Sequence, residues 1–273
     1  MQHYPETVGI AGCGRMGLPM AEALSRAGVE IFGFDVRPRS EFDSFKDRMI
    51  EDPQAFARQC DVVFTVVRDT RQTSDLLFDQ QAILHGDHNI RTVVICSTLS
   101  PRYLSEMAAK VPGDITLVDA PMSGGAIAAQ EARLSFMLGG DEGVLDRLQP
   151  LFEVMGKNIH RMGGFRAGMT AKVLNNFAAA SSLVASRQVF EWADKLGVDR
   201  DRLLALMHDS SGQNWFASNF ELLEFARDGY DNANTIGIIK KDVESMLDTI
   251  GVDPENALPG AIIANILALK PIK

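Results

Sequence analysis

The stretch "TVGIAGCGRMGLPMAEALSRAGVEIFGFD", residues 7–35, constrains the fold more than any other feature of the chain. Gly12, Gly14 and Gly17 form GxGxxG between an apolar, strand-like run and a helical pattern, and Asp35 closes the next strand eighteen residues beyond Gly17. Gly12 permits a tight turn, Gly14 lets the backbone approach a pyrophosphate, and Gly17 allows close helix–strand packing. The following helix amino terminus attracts phosphate charge. Pro19 suits a first helical turn, where a missing N–H costs little. A bare GxGxxG says little, but here strand, helix and acid are all in place. Asp35 can accept hydrogen bonds from an adenine-ribose diol and would repel a 2′-phosphate, which favours NAD over NADP; Arg37 and Arg39 close by could soften that preference.

The same alternation continues. "DVVFTVV", "RTVVICS", "ITLVDAP" and "LSFMLGG" are short β-branched or apolar runs separated by helical segments, the pattern of βαβ units and a largely parallel sheet. After "HRMGGFRAG" no strand signal remains, and residues 168 to 196 read as one helix spanning roughly 40 Å. Lys195 followed by Gly197 is a fitting end. The expected architecture is a Rossmann-type dinucleotide-binding domain over 1–163, a long interdomain helix, and an all-helical remainder within 164–273.

Composition narrows the function classes. The net charge of −9 argues against a generally basic nucleic-acid-binding surface, and an acidic small-molecule substrate would need a local cationic site. Cys13, Cys60 and Cys96 form neither a disulfide framework nor a metal-binding spacing, so no metal is expected. "MQHYPET" lacks the basic segment and apolar run of a signal peptide, and no span reaches the roughly 20 apolar residues that cross a bilayer. The expectation is a cytoplasmic protein without a membrane segment.

Two further motifs carry chemistry. In "LVDAPMSGGAI" a strand ending in Asp119-Ala120-Pro121 delivers Ser123, Gly124 and Gly125 to the sheet's carboxyl edge, where ligands of open α/β folds bind. Glycine N–H groups and a serine hydroxyl suit a carboxylate or carbonyl oxygen, although taken alone a plain glycine-rich connection explains the turn as well. In "GMTAKVLNNFAAASS", Lys172 and Asn176 share one helix face. A helical lysine is usually a solvated surface residue, but this one falls just after the expected domain junction, where a cleft is the default site.

These motifs, in this order and at these separations, resemble the β-hydroxyacid dehydrogenase family. The match runs through "AGCGRMGLPMA", "STLSP", "DAPMSGG", "FMLGG", "MGKNIHRMGGFRAGMTAKVLNN" and, more faintly, "SSGQNW" and "KKDVE", and it covers nearly the whole chain. The resemblance implies that Lys172 is the catalytic lysine, that Ser123, Gly124 and Gly125 hold the substrate, and that Asn176 orients it. It further implies a dinucleotide held at Gly12, Gly14, Arg15, Met16, Gly17 and Asp35, with Thr98 near the nicotinamide and Lys241 on the cofactor side of the helical domain. Asp242 also matches, and a structural ion-pair role suits it better. The implied reaction is hydride transfer between a nicotinamide cofactor, NAD or NADP, and a small hydroxy acid or its semialdehyde, in a homodimer or homotetramer.

Three positions depart from the family pattern. Arg68-Asp69 stand where an apolar residue and a proline are usual near the cofactor; "AQEARLSF" lacks a frequent glycine; and "ALPGAIIANILALKPIK" reads as stopping before the usual last helix is complete. Two other readings compete. An imine-reductase-like enzyme shares the fold, but such relatives generally lack the lysine; a non-catalytic dinucleotide-binding scaffold would have no need of Ser123, Lys172 and Asn176 together. His160, His208 and Trp215 take structural or surface readings, with a pocket-lining role also open to Trp215.

Overall fold

The structure, a computed structural model, describes residues 6–251, 253 and 255–272. The lead-in at residues 1–5 therefore lies outside the described residues. The chain divides into two compact units, Met1–Lys172 and Val173–Lys273.

The first unit is built on an eight-stranded sheet. In chain order its elements are β1 (Val8–Ala11), α1 (Gly17–Arg26), β2 (Ile31–Phe34), α2 (Pro53–Gln59), β3 (Val62–Thr65), α3 (Thr70–Leu77), β4 (Thr92–Ile95), α4 (Pro101–Ala108), β5 (Thr116–Asp119), β6 (Met122–Ser123), α5 (Gly125–Gln130), β7 (Leu134–Gly139), α6 (Glu142–Met155) and β8 (Gly156–Gly163). The four residues of β1, of β3 and of β4 are all buried, which is why these runs read as continuously apolar rather than alternating. Helix starts follow the side chains that can accept a backbone N–H: Asp52 caps α2, Asp69 caps α3, Ser100 caps α4 ahead of Pro101, and Asp141 caps α6.

Strand order is β2-β1-β3-β4-β5-β7-β6, with β8 paired to β7. From β2 to β5 every pairing is parallel, as expected. The far side is mixed, because β7 runs antiparallel to β5, β6 antiparallel to β7, and β8 parallel to β7. Neither β6 nor β8 announces itself in the sequence. The first is two residues long; the second, "GKNIHRMG", is a polar strand of which only Gly156 is buried, so it carries no apolar period. The sheet's order reverses at β1, whose neighbours are β2 and β3. The crevice at the carboxyl ends of these strands is where open α/β sheets bind ligands.

Apolar residues from both sheet faces make two cores. Phe64, Phe136 and Phe152 form one edge-to-face cluster with α6, with centroids 5.7 and 5.1 Å apart. Burying each such ring stabilises the unit by about 1.5–3 kcal/mol, and removing Phe152 to Ala would cost about 3–5 kcal/mol.

Helix α7 (Ala167–Leu196) carries the chain into the second unit, which continues with α8 (Arg200–His208), α9 (Trp215–Ser218), α10 (Thr235–Ile250) and α11 (Leu258–Ala268). Helix α7 matches the expected 168–196, and Gly197 beyond it has φ +72, a left-handed backbone that glycine adopts without strain. Its own core joins Ala180, Ile236, Val243, Ile262 and Ile266, and a neighbouring cluster joins Leu183, Phe190, Phe216 and Phe220. Buried Arg187 ties this unit together, donating to the carbonyls of Ala226 at 3.0 Å and Asp228 at 2.8 Å and to that of Lys270. Among the described residues no helix is long and apolar enough to cross a membrane.

Candidate active site

Three loops meet at the carboxyl edge of β1, β2 and β3. Gly12 has φ +97, and a Cβ there would stand 2.5 Å from the Val66 carbonyl oxygen, so no other residue fits between the loops. A Cβ on Gly17 would lie 2.0 Å from the Gly12 oxygen, while one on Gly14 would meet nothing within 4 Å. The three glycines thus divide as their spacing suggests: two allow close packing and one keeps space open above the turn. Helix α1 starts at Gly17 after Met16, which supplies no side-chain cap, unlike the residues before α2, α3, α4 and α6; the Leu18 N–H donates to the Gly14 carbonyl at 3.1 Å and Pro19 has none to give. This combination fits a dinucleotide pyrophosphate.

Asp35 follows β2 and its carboxylate accepts from the Arg37 backbone N–H and from Nε, both at 3.1 Å. Arg37 Nη2 also donates to the Cys13 carbonyl at 2.9 Å, and the guanidinium lies 4.7 Å from the Phe42 ring centroid. Arg37 therefore ties Asp35 to the glycine-rich turn. Arg39 is directed elsewhere, toward Asp47 at 3.8 Å. Cys13, within the turn, is buried, and burial pushes its thiol up to about 12, so it stays protonated at neutral pH.

The unusual Arg68-Asp69 pair has a local explanation. Asp69 accepts from Gln72 N at 2.9 Å as the cap of α3, and the Arg68 N–H donates back to Gln72 Oε1 at 2.9 Å, a reciprocal arrangement close to a capping box. Next along the edge, Ser97 donates to the Val67 carbonyl at 2.6 Å, fixing the "STLSP" loop that carries half-buried Thr98.

The turn after β5 holds the second set. Gly124 and Gly125 have φ +129 and +67, which favour glycine, and a Cβ on Gly125 would point into open space. Lys172, only 7 % exposed, donates from Nζ to Ser123 Oγ at 2.7 Å. A solvated helical lysine would not be buried this way. Asp119, fully buried at the end of β5, accepts from Arg166 N at 2.6 Å and from Met169 N at 2.5 Å. Burial outweighs those donors and raises its carboxyl to about 6.

In the second unit Asn176 donates from Nδ2 to Asp242 Oδ2 at 2.5 Å, and Lys241 Nζ lies 3.0 Å from Oδ1. The latter contact is ionic rather than a directed hydrogen bond, since Oδ1 has no hydrogen-bond partner. Asp242 is 2 % exposed, so both neighbours are needed to offset its burial. Trp215 is neither core nor isolated: it is 48 % exposed and stacks on Phe225 with centroids 6.4 Å apart. His208 Nδ1 lies 3.3 Å from Ser218 Oγ on an exposed surface. Sequence reasoning gave no role to Asp119, whose one signal was an acid closing a buried strand with no cation nearby in sequence.

Comparison with known proteins places these features in a lineage. Residues 7–164 match the family described as the NAD binding domain of 6-phosphogluconate dehydrogenase, and residues 167–263 match the NAD-binding family of NADP-dependent 3-hydroxyisobutyrate dehydrogenase. The chain is 36 % identical over 200 residues to 2-hydroxy-3-oxopropionate reductase of Escherichia coli, covering 72 % of this chain and 68 % of that protein. It is 29 % identical over 230 residues to the mitochondrial 3-hydroxyisobutyrate dehydrogenase of Homo sapiens, covering 83 % and 68 %. Among solved structures, the Mycobacterium tuberculosis 3-hydroxyisobutyrate dehydrogenase with L-serine superposes at a TM-score of 0.77 and 26 % identity, covering 97 % of this chain and 96 % of that one.

Proposed function

This chain belongs to the β-hydroxyacid dehydrogenase family, and from that premise we propose that it transfers a hydride between a nicotinamide cofactor and a small β-hydroxyacid or its semialdehyde, of the 3-hydroxyisobutyrate or 2-hydroxy-3-oxopropanoate type. The observation that carries the proposal is the 2.7 Å contact from Lys172 Nζ to Ser123 Oγ, which sets a buried proton donor beside a hydroxyl and a glycine turn suited to a carboxylate.

When bound, the nicotinamide supplies or accepts the hydride at its C4. Lys172 does the proton work: Nζ donates to the carbonyl oxygen as negative charge builds there in reduction, and the neutral amine removes the proton in oxidation. Ser123 holds Nζ and, with the N–H groups of Gly124 and Gly125, binds the acid. Asn176 orients the substrate, and Asp242 supports that role by accepting one of its amide hydrogens and so setting which way the amide faces. Gly12, Gly14, Arg15, Met16 and Gly17 hold the pyrophosphate; Thr98 and Lys241 serve the cofactor.

NAD is the proposed cofactor in preference to NADP, because the Asp35 carboxylate opposes a 2′-phosphate and Arg37 is already engaged by it. The functional division proposed is 1–163 for the dinucleotide and 164–273 for substrate and self-association; what supports its boundary is that one family match ends at residue 164 and the other begins at 167. Exposed Trp192, Leu196, Leu206 and Leu222 support a homodimer or homotetramer, and a monomer in sedimentation would remove that part. Three free buried thiols support a reducing, cytoplasmic location.

A panel of 3-hydroxyisobutyrate, glycerate, 4-hydroxybutyrate and threonate, each with NAD and NADP and followed by reduced-nicotinamide absorbance, tests the reading. Turnover of at least one acid, faster with NAD, is expected. Saturable NAD binding without turnover of any of them would favour a dinucleotide-binding scaffold instead.

A further inference from the structure

Asp119 stands where two chains of consequence meet. It is the last residue of β5, four positions before Ser123, and its two carboxylate oxygens are spent on the backbone at the start of α7: Oδ1 accepts from Arg166 N at 2.6 Å and Oδ2 from Met169 N at 2.5 Å. Met169 lies three residues before Lys172, one turn along the same helix. A carboxylate supplied from a distant strand thus does the work that a local cap residue does elsewhere in this unit.

The surroundings leave that junction little freedom. A Cβ on Gly139 would lie 2.3 Å from Asp119 Oδ1, and one on Gly168 would lie 2.2 Å from the Met137 carbonyl oxygen, so β7 and the first turn of α7 are in backbone contact. Arg166 sits at φ +82, a left-handed conformation that a long side chain rarely adopts. Its N–H is one of the two that Asp119 binds, and its Nη1 donates to Ser105 Oγ at 2.7 Å. A non-glycine residue persists in that conformation only where its neighbours fix it. On the opposite side the Leu99 N–H lies 3.3 Å from Met169 Sδ.

We infer that Asp119 is a positioning residue for the Lys172–Ser123 pair: by capping the first turn of α7 from the end of β5, its carboxylate sets where Lys172 Nζ stands relative to Ser123 Oγ. This rests on the reading of Lys172 and Ser123 as the groups that act on substrate. A misplacement of about 1 Å at reacting groups can cost about a hundredfold in rate, and Asp119 joins the end of β5 to the start of α7 through a single side chain. The amide of Asp119→Asn would turn an N–H donor toward one of the two backbone donors, breaking that cap while keeping the side chain's size.

The test uses the full chain. At a temperature well below the melting midpoint of both proteins, Asp119→Asn should lower kcat at least about tenfold, with the substrate KM and the dissociation constant for NADH each within about threefold of wild type. A role confined to stability would move the melting midpoint and leave kcat at that temperature unchanged, and that result overturns the inference. Hydrogen exchange on the wild type needs no variant: the Arg166 and Met169 amides should exchange as slowly as those inside α7, and exchange at the rate of uncapped first-turn amides overturns it as well. Should the wild type turn over none of the hydroxy acids, the catalytic reading falls separately, and reductive methylation of Lys172 decides the positioning. Its rate should rise at least about threefold in Asp119→Asn as Nζ leaves Ser123, and an unchanged rate refutes the inference.

Discussion

Lys172 Nζ donates to Ser123 Oγ across 2.7 Å, although 49 residues separate them in the chain. The contact joins the end of β6 to the second turn of α7, and it removes a lysine almost entirely from solvent. A cation so placed needs an acceptor in the folded protein and has a proton to give when a carbonyl oxygen takes that acceptor's place.

Replacing Lys172 by Ala should lower turnover at least about a hundredfold, the low end for general acid–base catalysis. NADH affinity, read by fluorescence titration, should stay near wild type, because Lys172 is not among residues 12–17 and 35, which are proposed to hold the dinucleotide. Near-normal turnover in this variant would remove the lysine from the mechanism.

The glycine-rich turn separates packing from binding. Gly17→Ala puts a methyl 2.0 Å from the Gly12 oxygen and should destabilise the first unit by about 1–3 kcal/mol or more, seen as a lower midpoint in urea. Gly14→Ala meets nothing within 4 Å, so it should melt like wild type yet bind NADH more weakly, its methyl standing where the pyrophosphate is proposed to approach. Equal NADH affinity in Gly14→Ala and wild type would refute the assignment.

Asp119 gives a pH signature whose sign is opposite to that of an ion-paired acid. Its carboxyl is raised from 3.8 to about 6, first by burial and against the Met169 and Arg166 N–H donors. An acid whose folded pKa is raised favours the folded state fully below the unfolded value and loses that contribution as pH climbs through the folded one. Wild-type stability relative to Asp119→Asn should therefore fall between pH of about 4 and about 6 and level off above. Denaturant midpoints across that range check it; a difference flat with pH, or rising, contradicts the shift.

In the second unit, Asp242→Ala removes the acceptor of the Asn176 amide and the carboxylate that lies 3.0 Å from Lys241 Nζ. The loss should be about 1–3 kcal/mol by thermal or urea unfolding. The double variant Asp242→Ala, Asn176→Ala should cost less than the sum of the single changes, since both remove the same 2.5 Å bond. Simple additivity would mean the two residues do not support one another.

By itself the sequence determined the periodic features: the buried parallel strands β1 to β5, the glycine-rich turn with its closing acid, and the helix from Ala167 to Leu196. Each of these rests on a local rule, an apolar run, a glycine where a Cβ clashes or a left-handed φ after a helix, and local rules are written in consecutive residues. Polar β8 and two-residue β6 escaped because strand pairing, not side-chain period, holds them in place. What only the tertiary structure decided is which polar groups meet: Asp119 with the first turn of α7, Lys172 with Ser123, Asn176 with Asp242, and Arg37 with both Asp35 and the Cys13 carbonyl. The physical reason is that a buried polar group must find its partner wherever the fold brings one, and three of those four contacts span 47 to 66 residues of chain.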